Sequence, residues 1–67
     1  MPLVNIKVLK EDQLPAEKKA ELIANVTQAV AETLGKSPAA TWVMIDEVSI
    51  DNWGIGGESI SQRRAKS

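Results

Sequence analysis

The sequence contains no cysteine, histidine, phenylalanine or tyrosine. Without cysteine there is no disulfide framework, and without cysteine and histidine the common zinc sites are excluded. A chain of 67 residues that folds alone buries only about 60% of the surface of its unfolded form. Small folds otherwise rely on disulfides, metals or association. We therefore expect the chain to self-associate, and we expect no metal or other cofactor.

Strong charge and long apolar runs are also missing. The formal net charge of −1 provides no field that would steer the chain to nucleic acid or to an anionic membrane, so neither is an expected partner. No apolar run approaches the roughly 20 residues that span a bilayer. The N-terminus lacks the basic stretch and apolar core of a signal peptide. We expect one domain over residues 1–67, located in the cytoplasm and ending in a polar tail at 60–67.

What the sequence does contain is a long amphipathic segment over residues 15–34. Pro15 suits the first position of a helix, and Gly35 suits the residue just past a helix end. The spacing of apolar residues is helical and predicts one inner face. That face is predicted to comprise Leu22, Val26, Ala29, Val30 and Thr33, flanked by Ile23 and Leu34.

The segments on either side of this helix alternate in the manner of β-strands. Residues 3–9 read LVNIKVL and residues 41–48 read TWVMIDEV, each with the two-residue period of a half-buried strand. A strand, a helix and a second strand form a βαβ unit, whose usual right-handed crossover makes the strands parallel. The glycine-rich stretch at 54–57 then predicts a short hairpin. The expected fold class is α/β.

One helix can cover only one face of this two-stranded sheet. The other face carries Trp42 and Met44, which would remain in water in an isolated chain. Exposed apolar patches of this kind indicate interfaces. We expect the sheets of two chains to pair, with further copies covering the bare face.

Pro2 directly follows Met1. Proline is tolerated as the first residue of a strand, which is a purely structural interpretation. If Met1 is removed, however, Pro2 carries a secondary amine, a base that no internal residue supplies. An ordinary α-amino group has a pKa near 8, and apolar surroundings would lower that pKa towards neutrality. If Met1 stays, the nitrogen belongs to an amide and cannot act as a base.

The initial Met-Pro, the βαβ unit and the segment DNWGIGGES together resemble the 4-oxalocrotonate tautomerase family over nearly the whole chain. The resemblance implies βαβ protomers that pair into dimers and commonly into hexamers, as trimers of dimers. It implies an isomerase in which Pro2 is the general base that moves a proton between oxygen and carbon of a small enol or 2-oxo acid. It also places Trp53 where the family has an aromatic residue near the active site.

The sequence departs from the dicarboxylate isomerases of that family at two positions that carry arginine there. The stretch LKEDQ at 9–13 contains no arginine, and Trp42 occupies the second position. Arginine would offer a carboxylate a bidentate fork, whereas tryptophan offers an apolar wall and one N–H donor. A less charged, more hydrophobic carbonyl compound is therefore the expected substrate. The expected substrate contacts are Trp42, Trp53, Leu9 and Arg64.

Other interpretations of these residues remain open. Trp42 and Trp53 could be structural, and Arg64 could be one solvated cation in a basic tail. The chain would then be a noncatalytic ligand-binding or assembly module on the same fold. The glycines at 54–57 lack the Lys-Ser/Thr that follows a phosphate-binding loop, and they are expected to serve a tight turn.

Overall fold

The computed structural model describes residues 1–10 and 14–66. Its elements follow the order β1 (Leu3–Leu9), α1 (Ala16–Leu34), a 3₁₀ turn (Pro38–Ala40), β2 (Trp42–Val48), β3 (Gly54–Ile55), β4 (Glu58–Ser59) and α2 (Ile60–Lys66). Residues 11–13 of the LKEDQ stretch and Ser67 of the expected tail lie outside the described residues. Within the described part, neither helix has the length and hydrophobicity that crossing a bilayer requires.

β1 and β2 form a parallel two-stranded sheet, as the sequence predicted. The register runs from Leu3 opposite Trp42 to Leu9 opposite Val48. Side chains alternate between the two faces, so that Val4 and Ile6 are half-buried while Leu3 and Asn5 are exposed. The second strand begins at Trp42 rather than at the predicted Thr41.

α1 covers one face of this sheet and lies chiefly against β2. An ion pair between the half-buried side chains of Lys19 and Glu47 joins the helix to the strand. The predicted inner face is partly wrong, because Ala29 and Thr33 are exposed. The half-buried and buried stripe keeps Leu22, Val26 and Val30 of the predicted face but is rotated by part of a turn around the helix. It consists of Lys19, Leu22, Val26, Thr27, Val30 and Ala31.

Both ends of α1 follow from the residues that stand there. Pro15 is the N-cap residue, with an extended ψ of 153°, and the helix begins at Ala16. The predicted start at Pro15 is therefore one residue too early. Gly35 ends the helix with φ 66° in the left-handed region, as predicted. The N–H groups of Gly35 and Lys36 both donate to the carbonyl oxygen of Ala31.

The chain ends in the predicted hairpin and a helix that was not predicted. β3 and β4 pair antiparallel, with Ile55 opposite Glu58. The tail expected at 60–67 is instead the helix α2 over Ile60–Lys66. A reciprocal capping box begins it: the Ser59 N–H donates to Gln62 Oε1 at 2.8 Å, and the Gln62 N–H donates to Ser59 Oγ at 3.1 Å.

The protomer has little hydrophobic core of its own. Among the described residues Ala31 is the one buried apolar side chain, whereas Leu3, Trp42 and Met44 are each more than half exposed. The radius of gyration is 15.4 Å, against about 11 Å for a compact chain of this length. The protomer is elongated, with principal extents of 46 × 25 × 14 Å. Much apolar surface is therefore left for contacts that one chain does not make.

We predict that Gly35→Ala lowers the free energy of unfolding by about 1 kcal/mol, because a Cβ disfavours left-handed backbone. Steric overlap is not the cause, since a Cβ at Gly35 would meet no atom within 4 Å. Gly35→Asn should lose less, because asparagine tolerates this conformation better. Denaturant unfolding of the three proteins at one protomer concentration measures the difference. Equal stability of all three would contradict this account of the helix end.

Candidate active site

A pocket of about 220 Å³ opens at the N-terminal end of the β1–β2 sheet. Met1, Pro2, Leu3 and Trp42 line it, and almost all of its wall is apolar. Because β1 and β2 are parallel, their first residues meet at this one end. The pocket thus combines residues from the beginning and the middle of the chain.

Pro2 is anchored to the sheet through its carbonyl group. The Trp42 N–H donates to the Pro2 oxygen at 2.9 Å, which extends the ladder by one residue before β1. The proline nitrogen has no hydrogen to give to the ladder. Met1, which is bonded to that nitrogen, lies 84% exposed and also lines the pocket. Removal of Met1 would therefore expose the nitrogen at this pocket.

Leu3 and Trp42 are cross-strand neighbours and form the apolar walls beside Pro2. Their side chains lie on the sheet face that α1 leaves uncovered, and they are 60% and 57% exposed. Trp42 was predicted from the sequence as a site residue, whereas Leu3 was not. The two-residue period contained the necessary signal, since it places Leu3 on the same face as Asn5 and next to Pro2.

Charge on this sheet face lies away from the pocket. The face continues through the pair Asn5–Met44 to the pair Lys7–Asp46. Lys7 Nζ lies 2.8 Å from Asp46 Oδ2 in an exposed ion pair. Lys7 is four residues along β1 from Leu3, which corresponds to roughly 13 Å of strand. None of the residues that line the pocket within the described protomer carries a cationic side chain.

The other three predicted site residues do not line this pocket within one protomer. Leu9 is at the opposite end of β1, roughly 20 Å of strand from Leu3. Trp53 is half-buried ahead of β3 and accepts a hydrogen bond at its carbonyl oxygen from the Ile60 N–H at 2.9 Å. Arg64 lies on the exposed part of α2. Their roles as substrate contacts stay predictions.

Comparison with known proteins gives matches along nearly the whole chain. The sequence model of the family described as tautomerase enzyme matches residues 2–63. The probable tautomerase K2 of Dickeya dadantii strain 3937 is 58% identical over 67 residues, which are 100% of this chain and 98% of that protein.

Solved structures give the same result for the fold. DmpI from Helicobacter pylori superposes with a TM-score of 0.83 at 40% identity, covering 98% of this chain and 100% of that chain. A heterohexamer 4-oxalocrotonate tautomerase from Chloroflexus aurantiacus J-10-fl superposes with a TM-score of 0.78 at 31% identity. That match covers 92% of this chain and 97% of that one.

Proposed function

The chain belongs to the tautomerase enzyme family, and from that premise we propose that the Pro2 amine catalyses keto–enol tautomerisation of a small enol or 2-oxo acid. The observation that carries the proposal is the position of Pro2, which lines an apolar pocket at the end of the sheet and is anchored there through its carbonyl oxygen. The family membership and the βαβ fold confirm the expectations drawn from the sequence. The base and the substrate are our proposal, as is the expected location in the cytoplasm.

The proposed reaction uses one proton and no redox change. After removal of Met1, the secondary amine of Pro2 takes the proton from the enol hydroxyl group. The resulting ammonium group gives a proton to the substrate carbon, while the oxygen becomes a carbonyl. The amine is thereby restored, and the same steps in reverse form the enol. A group that serves as base and then as acid is most effective when its pKa lies near the working pH.

The walls of the pocket support this role. Leu3 and Trp42 lie beside the position of the amine, where they would displace water and disfavour the charged ammonium form. We therefore expect the pKa of the free Pro2 amine to lie below the ordinary value near 8. Lowering the pKa of the amine increases the fraction that is in its basic form at neutral pH.

We also propose that the working enzyme is a homodimer or homohexamer. The face that carries Leu3, Trp42 and Met44 is uncovered, and the protomer is elongated. Since Trp53 lies outside the pocket of its own chain, a second copy is needed to bring a Trp53 to Pro2. The heterohexamer of Chloroflexus aurantiacus supports assembly on this fold.

A noncatalytic binding module is the second candidate. It applies if Met1 stays attached, because the Pro2 nitrogen is then an amide, while Met1, Leu3 and Trp42 still provide apolar walls for a ligand. In that state the pocket could bind a ligand but could not move a proton. The two candidates differ in the chemical state of one nitrogen, which can be measured.

Intact mass of the protein purified from its own cells should show the loss of one methionine. A lysine inserted between Met1 and Pro2 should prevent trimming, because aminopeptidases require a small second residue, and should leave Pro2 as an amide. We predict that this insertion lowers kcat/KM for ketonisation of phenylenolpyruvate by about 100-fold or more, the usual contribution of a general base. Pro2→Ala tests the same group.

Pro38→Ala is the matched control, because Pro38 is an exposed proline in the 3₁₀ turn and does not line the pocket. It should retain the parent rate. Full retention of Met1, or equal rates for the parent and the lysine insertion, would favour the binding module.

The pH dependence of kcat/KM should follow the ionisation of the Pro2 amine. Because the basic form is active, the rate should rise with pH and reach a plateau above the pKa of the amine, which we place below 8. Leu3→Ser, which makes the wall more polar, should move the midpoint of this rise to higher pH. A midpoint above 8 in the parent, or one unaltered by Leu3→Ser, would contradict the proposed desolvation.

Association through the uncovered face predicts a stable oligomer in native mass spectrometry. Met44→Lys should shift the population towards smaller species, because a buried unpaired ammonium is costly. Ala24→Lys is the control, since Ala24 is exposed on α1, away from this face. A parent that stays monomeric, or equal effects of the two lysines, would refute association through the sheet face.

A further inference from the structure

We propose that Trp42 sets the substrate class of the Pro2 site: the end of the substrate remote from the reacting enol is a flat apolar group, such as an aryl ring, and not a second carboxylate. This inference rests on the proposed tautomerase function. It deepens that function by assigning one end of the substrate. The remaining end, which carries the reacting enol, is held at the Pro2 amine.

The first argument is the fixed position of the indole. The Trp42 N–H bonds to the Pro2 oxygen at 2.9 Å, so the side chain begins next to the residue that bears the amine. The indole is 57% exposed, and it lines the same pocket as Pro2. We therefore expect a substrate whose enol reaches the Pro2 nitrogen to extend its other end along Trp42.

The second argument is the chemistry of the surface around that group. Leu3 lies opposite Trp42 in the sheet, and Met44 lies two residues beyond Trp42 on the same face of β2. An aromatic ring packs favourably on an indole in offset or edge-to-face arrangements. It also gains from the aliphatic and thioether surfaces beside it. Flat apolar groups thus match all three side chains.

The third argument is that the residues lining the pocket in the described part of the protomer offer no cationic partner for a second carboxylate. The indole offers one N–H donor and no charge. The cation on this sheet face, Lys7, is roughly 13 Å along the strand from Leu3 and is paired with Asp46 at 2.8 Å. A carboxylate moved towards Lys7 would also approach the negative charge of Asp46. A carboxylate left against Trp42 would lose its hydration without a counter-ion.

Two substrates with the same reacting half provide the test. Phenylenolpyruvate and 2-hydroxymuconate are both enols of 2-oxo acids, and they differ at the other end, which is a phenyl ring in one and a carboxyvinyl group in the other. The parent should show a kcat/KM for phenylenolpyruvate at least about tenfold higher, the ratio that one well-placed contact supplies. Phenylenolpyruvate with a para-carboxylate separates charge from shape and should behave like 2-hydroxymuconate.

Substitutions at Trp42 should change this ratio in a defined order. Trp42→Leu keeps an apolar wall without the flat ring and should reduce the preference several-fold. Trp42→Arg adds a carboxylate partner and should reverse the preference, with a total change of about 100-fold in the ratio. Pro38→Ala, a change in an exposed residue of the 3₁₀ turn outside the pocket lining, is the control and should leave the ratio unaltered. Circular dichroism and native mass verify that each variant folds and assembles like the parent.

Binding of unreactive analogues keeps the inference separate from the proposed reaction. Calorimetric titration with cinnamate and with trans,trans-muconate measures the same preference without turnover. If the parent ketonises neither compound but binds cinnamate more tightly, the proposed function fails and the assignment of Trp42 survives. If Pro2-dependent turnover occurs but 2-hydroxymuconate is preferred, or the Trp42 variants leave the ratio unchanged, the assignment of Trp42 is refuted and the proposed function survives.

Discussion

The parallel alignment of β1 with β2 is the constraint on which the site depends. Parallel strands bring their first residues to the same end of the sheet. The hydrogen bond from the Trp42 N–H to the Pro2 oxygen, at 2.9 Å, holds the two chain segments together there. An antiparallel pair would put Trp42 beside the far end of β1, next to Leu9. The 19-residue helix α1 is the connection that the parallel arrangement requires. The βαβ topology therefore positions the site as well as forming the fold.

The same topology explains why the isolated protomer is not self-sufficient. The helix α1 covers one face of the β1–β2 sheet. The β3–β4 hairpin and α2 do not cover the other face. The large exposed side chains Leu3, Trp42 and Met44 all lie on that second face. Burial of apolar area contributes about 25 cal/mol per Å². In the proposed oligomer, contacts between copies would bury this apolar surface, and stability and site formation would then be linked.

The sequence predicted the fold where local periodicity determines it. Alternation over LVNIKVL defined β1 to the residue, and Gly35 marked the end of α1 because only a left-handed backbone closes that turn easily. The inner stripe of α1 was predicted less accurately, because it includes Lys19 and Thr27, whose polar side chains give no apolar signal. α2 was missed although Ser59 and Gln62 have the spacing of a capping box, because a basic, polar stretch lacks an apolar period.

The candidate site was predictable in part for a related reason. Trp42 and Pro2 meet because of strand register, which follows from the two-residue period once the strands are known to be parallel. The length of β1 already shows that Leu9 lies far from Pro2 within one chain, because each residue of a strand adds about 3.3 Å. The placement of Trp53 depends on the loop between β2 and β3, which periodicity does not encode.

Met1 is part of the wall of the pocket. The peptide bond between Met1 and Pro2 is also the bond whose cleavage would free the Pro2 nitrogen. A newly made chain would thus resemble a zymogen with a one-residue propeptide, which blocks the reaction by keeping the Pro2 nitrogen in an amide. Its maturation would need neither a dedicated protease nor a rearrangement of the fold if the ordinary processing of nascent chains removes Met1. The enzyme would then become active while its chain is being synthesised or soon afterwards.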